Sequence, residues 1–597
     1  MNGLILEPLK YYTTVAREKH KANVTAHFDE LHKRSGVDAE ANRKTVAEYD
    51  AECAVLKAVR KRITGYKVGF GLLIALAVIG IIAAIVGIYV IVSYDALIGS
   101  SLLAGGAIAA LVGFIVAFKV MRAKIRAAER EYDEHFDRAE KLLAEANAQM
   151  APLNALFDNL DTLRLIEKTM PEIKFDLTYT HERERELIED YDYLDMTDDE
   201  TSVVDSLSGT LFKNPFLFER YLSHVMGEHT YHGTLTISWT ETYRDSKGRV
   251  RTQRRTQVLH ASVTKPKPYY FTNTHLGYGS LVSPDLSFSR VESDTDELSE
   301  RALARRIRRG ERKLKKQAAK SISSGGSFQE MANSEFDVLF GAHDRDHEVQ
   351  FRVMYTPLAQ NNTVDLLRSK EGYGDDFNFI KQKRYNIIKS NHAQEWEMTL
   401  SASRYKSYSI DIARERFTSH NEEYFKSVFF DFAPLMAVPA YQDEPVHSMK
   451  EPREMPGNYT SYEHETLANA IGERAFEPVG ACTRSILKTK VAEKRDGTDR
   501  VLVTAYSYKA EERVDLVPVM GGDGRLHAVP VPWLEYIPIR RTTDMAVKSL
   551  GYTEREYNQK AGGIRPDLSA YMHGLMAYIP NVDDNIGKIN EYFKKYI

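Results

Sequence analysis

The densest set of metal-ligand side chains in the chain is His224, Glu228, His229 and His232. A zinc ion accepts two His and one carboxylate, and on a helix His224 and Glu228 share a face, one turn apart. The spacing, however, is not the His-Glu-x-x-His of a zinc protease, and Gly227 interrupts it. Chance clustering at a helix-to-strand junction accounts for it better. His343, Asp344, Asp346, His347 and Glu348 form a second polar cluster, which reads as a solvated turn. Gly521-Gly522-Asp523-Gly524 has the composition of a phosphate cradle. No helix signal follows it, because the proline-broken run 526–539 reads as strand, so a hairpin turn is expected. The acidic run from Glu182 to Asp205 lacks the glycine that a calcium loop needs for its tight turn. It is expected to be a solvated face or linker. There is no Walker loop, no GxGxxG and no GxSxG. No catalytic, cofactor-binding or metal-binding residue is therefore assigned, and no cofactor is expected.

One feature points to polyanion contact. Arg301, Arg305, Arg306, Arg308, Arg309, Arg312, Lys313, Lys315, Lys316 and Lys320 fall within twenty residues. Leu303, Ile307 and Leu314 thread a thin apolar stripe through them at helical spacing. Such a segment can be a solvated, flexible arm. It can also lie on anionic lipid, where each Lys or Arg contributes about 1 kcal/mol near the surface, or hold nucleic acid phosphates. Anchorage near an inner leaflet ranks lipid above nucleic acid. Ser321 to Ser327 follows as a flexible linker.

The anchorage comes from Val68 to Phe118, a stretch with one formal charge, Asp95. Each half, 68–94 and 96–118, is long enough to cross a hydrocarbon core of about 30 Å as a helix. Gly80 with Ala84, and Ala109 with Gly113, are spaced for close helix approach. Lys57, Arg60, Lys61, Arg62 and Lys67 precede the first span, and Lys119, Arg122, Lys124, Arg126 and Arg130 follow the second. The connection between them holds no Lys or Arg. This asymmetry places both termini in the cytoplasm of a multi-pass protein of the inner membrane. The apolar run starts too late and is too long for a signal peptide.

The spans are flanked by helical patterns. Residues 1–67 read as helices broken at Ser35-Gly36-Val37-Asp38, where Gly ends one helix and Asp caps the next. The second of these helices runs into the first span. Residues 119–168 carry a stripe from Tyr132 through Phe136, Ala139, Leu143, Ala146, Met150, Leu153 and Phe157 to Leu160, alternating by four and three. That is a coiled-coil signature, with Pro152 set to kink or restart the helix. The helices before and after the spans are expected to pair antiparallel as a stalk, with self-association between copies as the alternative.

Beyond the stalk, Leu235, Ile237 and Trp239 alternate with polar residues as a half-buried strand. It turns at Asp245-Ser246-Lys247-Gly248 and returns through Val250 to Val263, with Arg249, Arg251, Arg254 and Arg255 near its start. A second hairpin is expected from Phe336–Leu339 to Val349, Phe351, Val353 and Tyr355. The two segments YRDSKGRVRTQRRTQVLHASVTKPKPYY and FQEMANSEFDVLFGAHDRDHEVQFRVMYTPLAQ resemble the bacterial membrane proteins grouped as domain-of-unknown-function family 3137. The residues that carry the likeness are Asp245, Lys247, Gly248, Arg249, Lys265 and Pro266, then Phe336, Phe340, Thr356 and Pro357. Tyr355 stands where the family has Leu, a Phe-Lys-Gly entry to the return strand is missing, and 290–325 reads as an insertion. The likeness covers roughly 1–360. It implies a helical N-terminus and a two-span hairpin before a cytoplasmic domain, and no chemistry.

Residues 365–445 mix helix and strand and are rich in aromatics, Trp396, Phe417 and Phe429 among them. A proline-broken linker, 445–457, separates 169–445 from a domain at 458–597. That domain opens with a helix, Glu463–Ile471, continues with strands at 483–491, 501–508, 514–520 and 526–539, and closes with a helix and aromatic tail. A formal net charge of −4 implies no nucleic-acid protein overall, and Cys53 and Cys482 make no disulfide or zinc framework. The expected architecture is α+β: a two-span transmembrane hairpin, a coiled-coil stalk and a large β-rich cytoplasmic body. The expected role is a scaffold or sensor acting through protein or lipid-surface contacts. A metal-dependent hydrolase at His224, Glu228 and His232 and a nucleic-acid tether at 301–320 are the alternatives.

Overall fold

The computed structural model describes residues 4–93, 96–194, 198–244, 248–326, 328–395, 400–442, 459–550, 569–580, 588, 589 and 593. Asp95, Asp195, the turn residues Asp245–Lys247, Ser327, Trp396, the linker 445–457 and most of the closing segment lie outside them. The chain divides into two compact units, Thr25–Phe157 with Ala402–Ser419, and Met1–Val24 with Asp158–Ser401 and His420–Ile597.

The first unit is built on long helices. Helix α1, Arg17–Ser35, enters it and ends where Gly36 takes a φ of 65°. Asp38 Oδ1 then accepts the backbone N–H groups of Glu40 and Ala41, capping α2, Ala39–Ser93. That single helix carries the upstream charged segment and the first apolar run without a break. Helix α3, Ala96–Ile115, passes through a π-helical segment, Val116–Met121, into α4, Arg122–Asn154. Both apolar helices are long and apolar enough to cross a membrane. Their packing inverts that of a soluble bundle. Small residues, Ala77, Gly80, Gly87, Gly99, Gly106 and Gly113, are buried between the helices, while Leu72, Ile79, Ile85, Leu97 and Leu111 face outward.

The antiparallel pairing continues past the apolar part. Val59, Ile63 and Ala128 form a small core with Tyr66 and Tyr132. Lys67 pairs with Glu129, Arg62 with Glu131 and Glu52 with His135, and Gln149 donates to Thr45 Oγ1. The heptad stripe is thus covered within one chain from Ala139 through Ala146, Met150, Leu153 and Phe157, though Phe136 is half exposed. Pro152 sits in the last turn of α4, which stops two residues later. Phe157 then packs on Phe28 and Phe417 rather than continuing the stripe.

The second unit holds a short helix α5, Asp161–Thr169, and two antiparallel sheets. In the first sheet the order is β1-β2-β3-β4-β7-β6-β5. Its strands are β1 Ile173–Phe175, β2 Thr201–Leu211, β3 Asn214–Arg244, β4 Val250–Gly279, β5 Ser287–Arg290, β6 Phe377–Gln382 and β7 Tyr385–Ser390. Between them lie α6 His181–Tyr191, α7 Glu300–Ser323, α8 Ser334–Phe340, α9 Glu348–Met354 and α10 Pro357–Arg368. Helix α11, Ile410–Met436, brings Phe425, Phe429, Phe430 and Phe432 onto Tyr12, Phe216 and Phe218. Helix α12, Ser461–Ile471, leads to the second sheet, ordered β11-β12-β10-β9-β8. Its strands are β8 Ile486–Arg495, β9 Thr498–Met520, β10 Leu526–Ser549, β11 Ser569–Met572 and β12 Leu575–Tyr578.

The structure departs from the sequence pattern in two places. The second hairpin is two helices, α8 and α9. Phe336, Leu339 and Phe340 are buried at helical spacing, as are Phe351, Met354 and Tyr355, whereas Val349 and Val353 are 66 % and 64 % exposed. The Asn333 side chain caps α8, Gly341 closes it at φ 75°, His347 caps α9, and Thr356-Pro357 opens α10 instead of ending a strand. The strands expected at 501–508 and 514–520 are one strand. The polar run between them, 509–513, makes no turn, because Arg513 pairs across to Glu535 on β10 and along to Glu511.

The glycine contacts between α2 and α3 make a sharp test. A Cβ at Gly106 would lie 2.6 Å from Ala84 N and from Gly80 O, while one at Gly105 meets nothing within 4 Å. Gly106→Leu should lower the unfolding midpoint of the detergent-solubilised protein by at least a few degrees, and Gly105→Leu should leave it in place. Equal effects in a calorimetric scan would exclude this helix pairing.

Candidate functional site

The ten cations singled out from the sequence lie on α7. Ser299 caps this helix by accepting the N–H of Ala302. Its apolar stripe is used inside the protein: Leu303 and Leu314 are buried, Ile307 packs on the main core, and Gly310 sits against Val338 of α8. At about 100° per residue the cations occupy the opposite half of the helix. Arg306 reaches Asp294. Arg301, Arg305, Arg308, Arg309, Arg312, Lys313, Lys315, Lys316 and Lys320 are exposed, and among the described residues no carboxylate pairs with them. α7 is therefore an ordered, docked helix and not a loose arm. It presents a dense positive face, while its apolar face is already committed to the body.

The His cluster is rearranged. His224, Glu228 and His232 lie on β3, not on a helix. In an extended strand they point to one side but stand about 13 Å apart per step, too far to share an ion. His224 is buried between Tyr270 and Tyr508, and Glu228 and His232 are exposed. Burial, offset in part by Glu200, lowers the pKa of His224. Among the described residues no group of three His, Cys, Asp or Glu is placed to hold a metal. The cluster at 343–348 is wired to the fold: His343 Nε2 bonds Asp337 O, Asp344 and Asp346 accept the backbone N–H groups of Ser289 and Ser287, and Glu348 holds Arg345 and Arg352. The glycine run at 521–524 is the β9–β10 turn, closed by Gly521 N–H donating to Arg525 O. In the acidic stretch, Glu182, Glu189 and Asp190 are solvated on α6. Asp192 is bound to Arg384.

The largest collection of buried chemistry was not visible in the sequence as a site. Helix α12 packs against β2 on one side and β8, β11 and β12 on the other. Its residues Tyr462, Glu463, His464 and Glu465 are all buried. Tyr462 and Tyr193 share a hydroxyl–hydroxyl bond of 2.8 Å, and Tyr193 donates to Glu219, which is 2.6 Å from His275. Glu463 accepts Tyr179 N–H at 2.7 Å and meets His573 Nδ1 at 2.9 Å. His464 meets Asp499, and Glu465 holds Lys488 and the N–H of Val203. Consecutive buried polar residues pointing in four directions have no hydrophobic period. The signal that could have found them is an all-polar helix start flanked by Tyr459 and Leu467.

Electrostatics within this seam is strongly coupled. Burial works against a charged His573, but the charge and hydrogen bond of Glu463, with Asp205 behind, hold it up to about 9. Burial raises the Asp205 carboxyl to about 6 despite the pull of His573. The nearby cavity, lined by Asp205, Glu219, Arg220, Thr274, Leu400 and Tyr424, measures ≈ 30 Å³, room for a water or two. His464–Asp499 and Glu463–His573 tie α12 to the second sheet, and the Val203 N–H donating to Glu465 ties it to the first, so the helix clamps the two sheets together. No family model, curated protein or solved structure matches the chain.

Because the folded pKa of His573 lies above its usual 6.5, the stabilisation from the Glu463–His573 pair is complete below about pH 6.5 and fades as pH rises through 9. Raising pH from 7 to 9.5 should lower the stability of this unit by roughly 2–3 kcal/mol, and Glu463→Gln with His573→Asn should flatten that slope. Asn suits position 573, where φ is 51°. An unchanged pH slope in the double variant would show that the pair does not carry the linkage.

Proposed function

We propose that the protein is a membrane-anchored scaffold or sensor that works through surface contacts, with the positive face of α7 as the surface that meets anionic lipid headgroups. The observation that carries this reading is the pairing on one helix of a docked apolar stripe with nine exposed cations that have no carboxylate partner among the described residues. A merely solvated helix in a chain of near-balanced charge would intersperse acids on that face. Here Glu311 instead accepts from Ser334 and Glu300 from Arg368. The apolar pair α2–α3 supports anchorage. Tyr66 and Phe118 at its charged end carry Lys124 and Arg122 over their rings, the arrangement of aromatics and cations found at a bilayer surface. The flanking cations support an inner-membrane orientation with both termini and the body in the cytoplasm, the arrangement that the likeness to family 3137 also implies.

Orientation is checked by introducing a cysteine at the exposed Thr242 in a Cys53→Ala, Cys482→Ala background. A membrane-impermeant thiol reagent should leave it unlabelled in intact cells, and labelling would place the body outside. Lipid contact is checked on the full protein in nanodiscs, with an environment-sensitive dye on Ala319→Cys, on the cationic face near the C-terminal end of α7. Emission should shift to the blue in discs containing anionic lipid, not in zwitterionic ones. The shift should shrink several-fold with Arg308→Glu and Arg312→Glu and fall with salt. A shift produced by added nucleic acid and not by anionic lipid would replace lipid with a phosphate polymer as the ligand.

A further inference from the structure

The β3–β4 and β9–β10 hairpins lie side by side. Ile237, Leu259 and Val529 form a core between them, Lys265 pairs with Asp515 and stands over Trp533, and Gly522 N–H donates to Gln257. Towards its turn only one face of the β9–β10 ribbon is used in this way, although nearer the root Tyr508 of the other face packs on His224. Odd-numbered Val529 and Val531 point inward and are fully buried. On the opposite face Val514, Leu516, Met520 and Leu526 are 58 %, 66 %, 59 % and 66 % exposed. No charged residue interrupts this face between row 514/532 and row 520/526. With the prolines beside them these side chains make a patch of roughly 300–600 Å², a size that on a monomer is often functional.

The ribbon's edges are guarded. Leu516 faces Pro530, Val514 faces Pro532 and Ala528 faces Pro518. A proline has no N–H to give the ladder, so these rows are the ones whose backbone groups point away from the partner strand. The prolines therefore blunt both edges against strand addition. Edge pairing is designed out while the face stays apolar, so the occupant docks by side chains.

The charges at the ends of the patch say which occupant fits. Glu512 lies on this face just before Val514, and Arg525 lies in the turn just before Leu526. Both are exposed, and neither has an ion-pair partner among the described residues. Neighbouring charges Lys509, Glu511, Arg513 and Glu535 are paired with one another. An uncharged face with an unpaired acid at one end and an unpaired base at the other, about 30 Å apart along the strand, complements itself when turned through 180°. We propose that this face is an isologous interface between two copies of the chain. The ribbons pack face to face and antiparallel, and Arg525 of each copy meets Glu512 of the other. Two such patches together approach the roughly 1,000 Å² at which specific interfaces begin, so the dimer is a weak, concentration-dependent one.

The test uses full-length protein in detergent with Cys53→Ala, donor and acceptor dyes placed on Cys482 in separate pools, and energy transfer followed on dilution. Transfer should appear at micromolar concentration. Leu516→Glu should abolish it, and Glu512→Arg or Arg525→Glu should each weaken it about tenfold. The swapped double variant Glu512→Arg, Arg525→Glu should restore it. Circular dichroism checks that these surface changes leave the fold intact. No transfer in the parent protein, transfer that survives Leu516→Glu, or a swap that fails to restore it would each overturn the interface. A patch for anionic lipid would behave differently: Glu512→Arg would strengthen vesicle binding and the swap would rescue nothing, which also overturns the proposal.

Discussion

The second unit depends on a helix that buries its polar side chains. Removing Glu463, His464 and Glu465 from water is costly unless each finds a partner, and α12 meets that condition by bonding to β2, β9, β8 and the β11–β12 turn at once. Each bond fixes a direction, so the helix can sit in one orientation only. Two antiparallel sheets that share no strand are thereby held in a definite relation. Hydrophobic burial alone tolerates sliding; a set of directional, desolvated ion pairs does not. The cost appears as coupling: the protonation of His573 and Asp205 is tied to the docking of the helix.

The same logic of committed and uncommitted faces runs through the rest of the chain. In α7 the apolar stripe is committed to the core and the cationic half is free. In the β9–β10 ribbon the inner valines are committed and the outer aliphatic face is free. In α2–α3 the glycine faces are committed to each other, and the large aliphatic side chains are left outside. A face left exposed and apolar, or densely charged, beside one already packed is the natural place to look for a partner. The three free faces differ in chemistry, one lipophilic, one cationic and one uncharged and self-complementary.

Several parts were legible in the sequence because they rest on local or short-range physics. The apolar runs at 68–94 and 96–118 follow from composition, the break at Ser35–Asp38 from glycine and cap chemistry, the half-buried strand at Leu235–Trp239 from alternation, and the turn at 521–524 from glycine. Others misled for equally physical reasons. Val349, Phe351, Val353 and Tyr355 alternate as a strand would, yet the core needs Phe351, Met354 and Tyr355 on one side, and a helix supplies that. His224 and Glu228 suggest a helical pair because spacing alone does not say which period the backbone has adopted. The run 509–513 looked like a loop because a two-stranded ribbon exposes both polar faces and pairs its charges across strands.

What the sequence by itself determined is the set of elements whose period, caps or length leave one choice: the long helices, their apolar character, the positive segment and the hairpin turn at 521–524. Tertiary structure alone decided which faces are spent. It brought Tyr193, Glu219 and His275 to Tyr462, and His573 to Glu463, across separations of more than a hundred residues in the longest cases. It covered the heptad stripe with a helix of the same chain, and it turned the α7 stripe inward. These outcomes depend on desolvation and direction, which are properties of an assembled interior and have no counterpart in residue spacing.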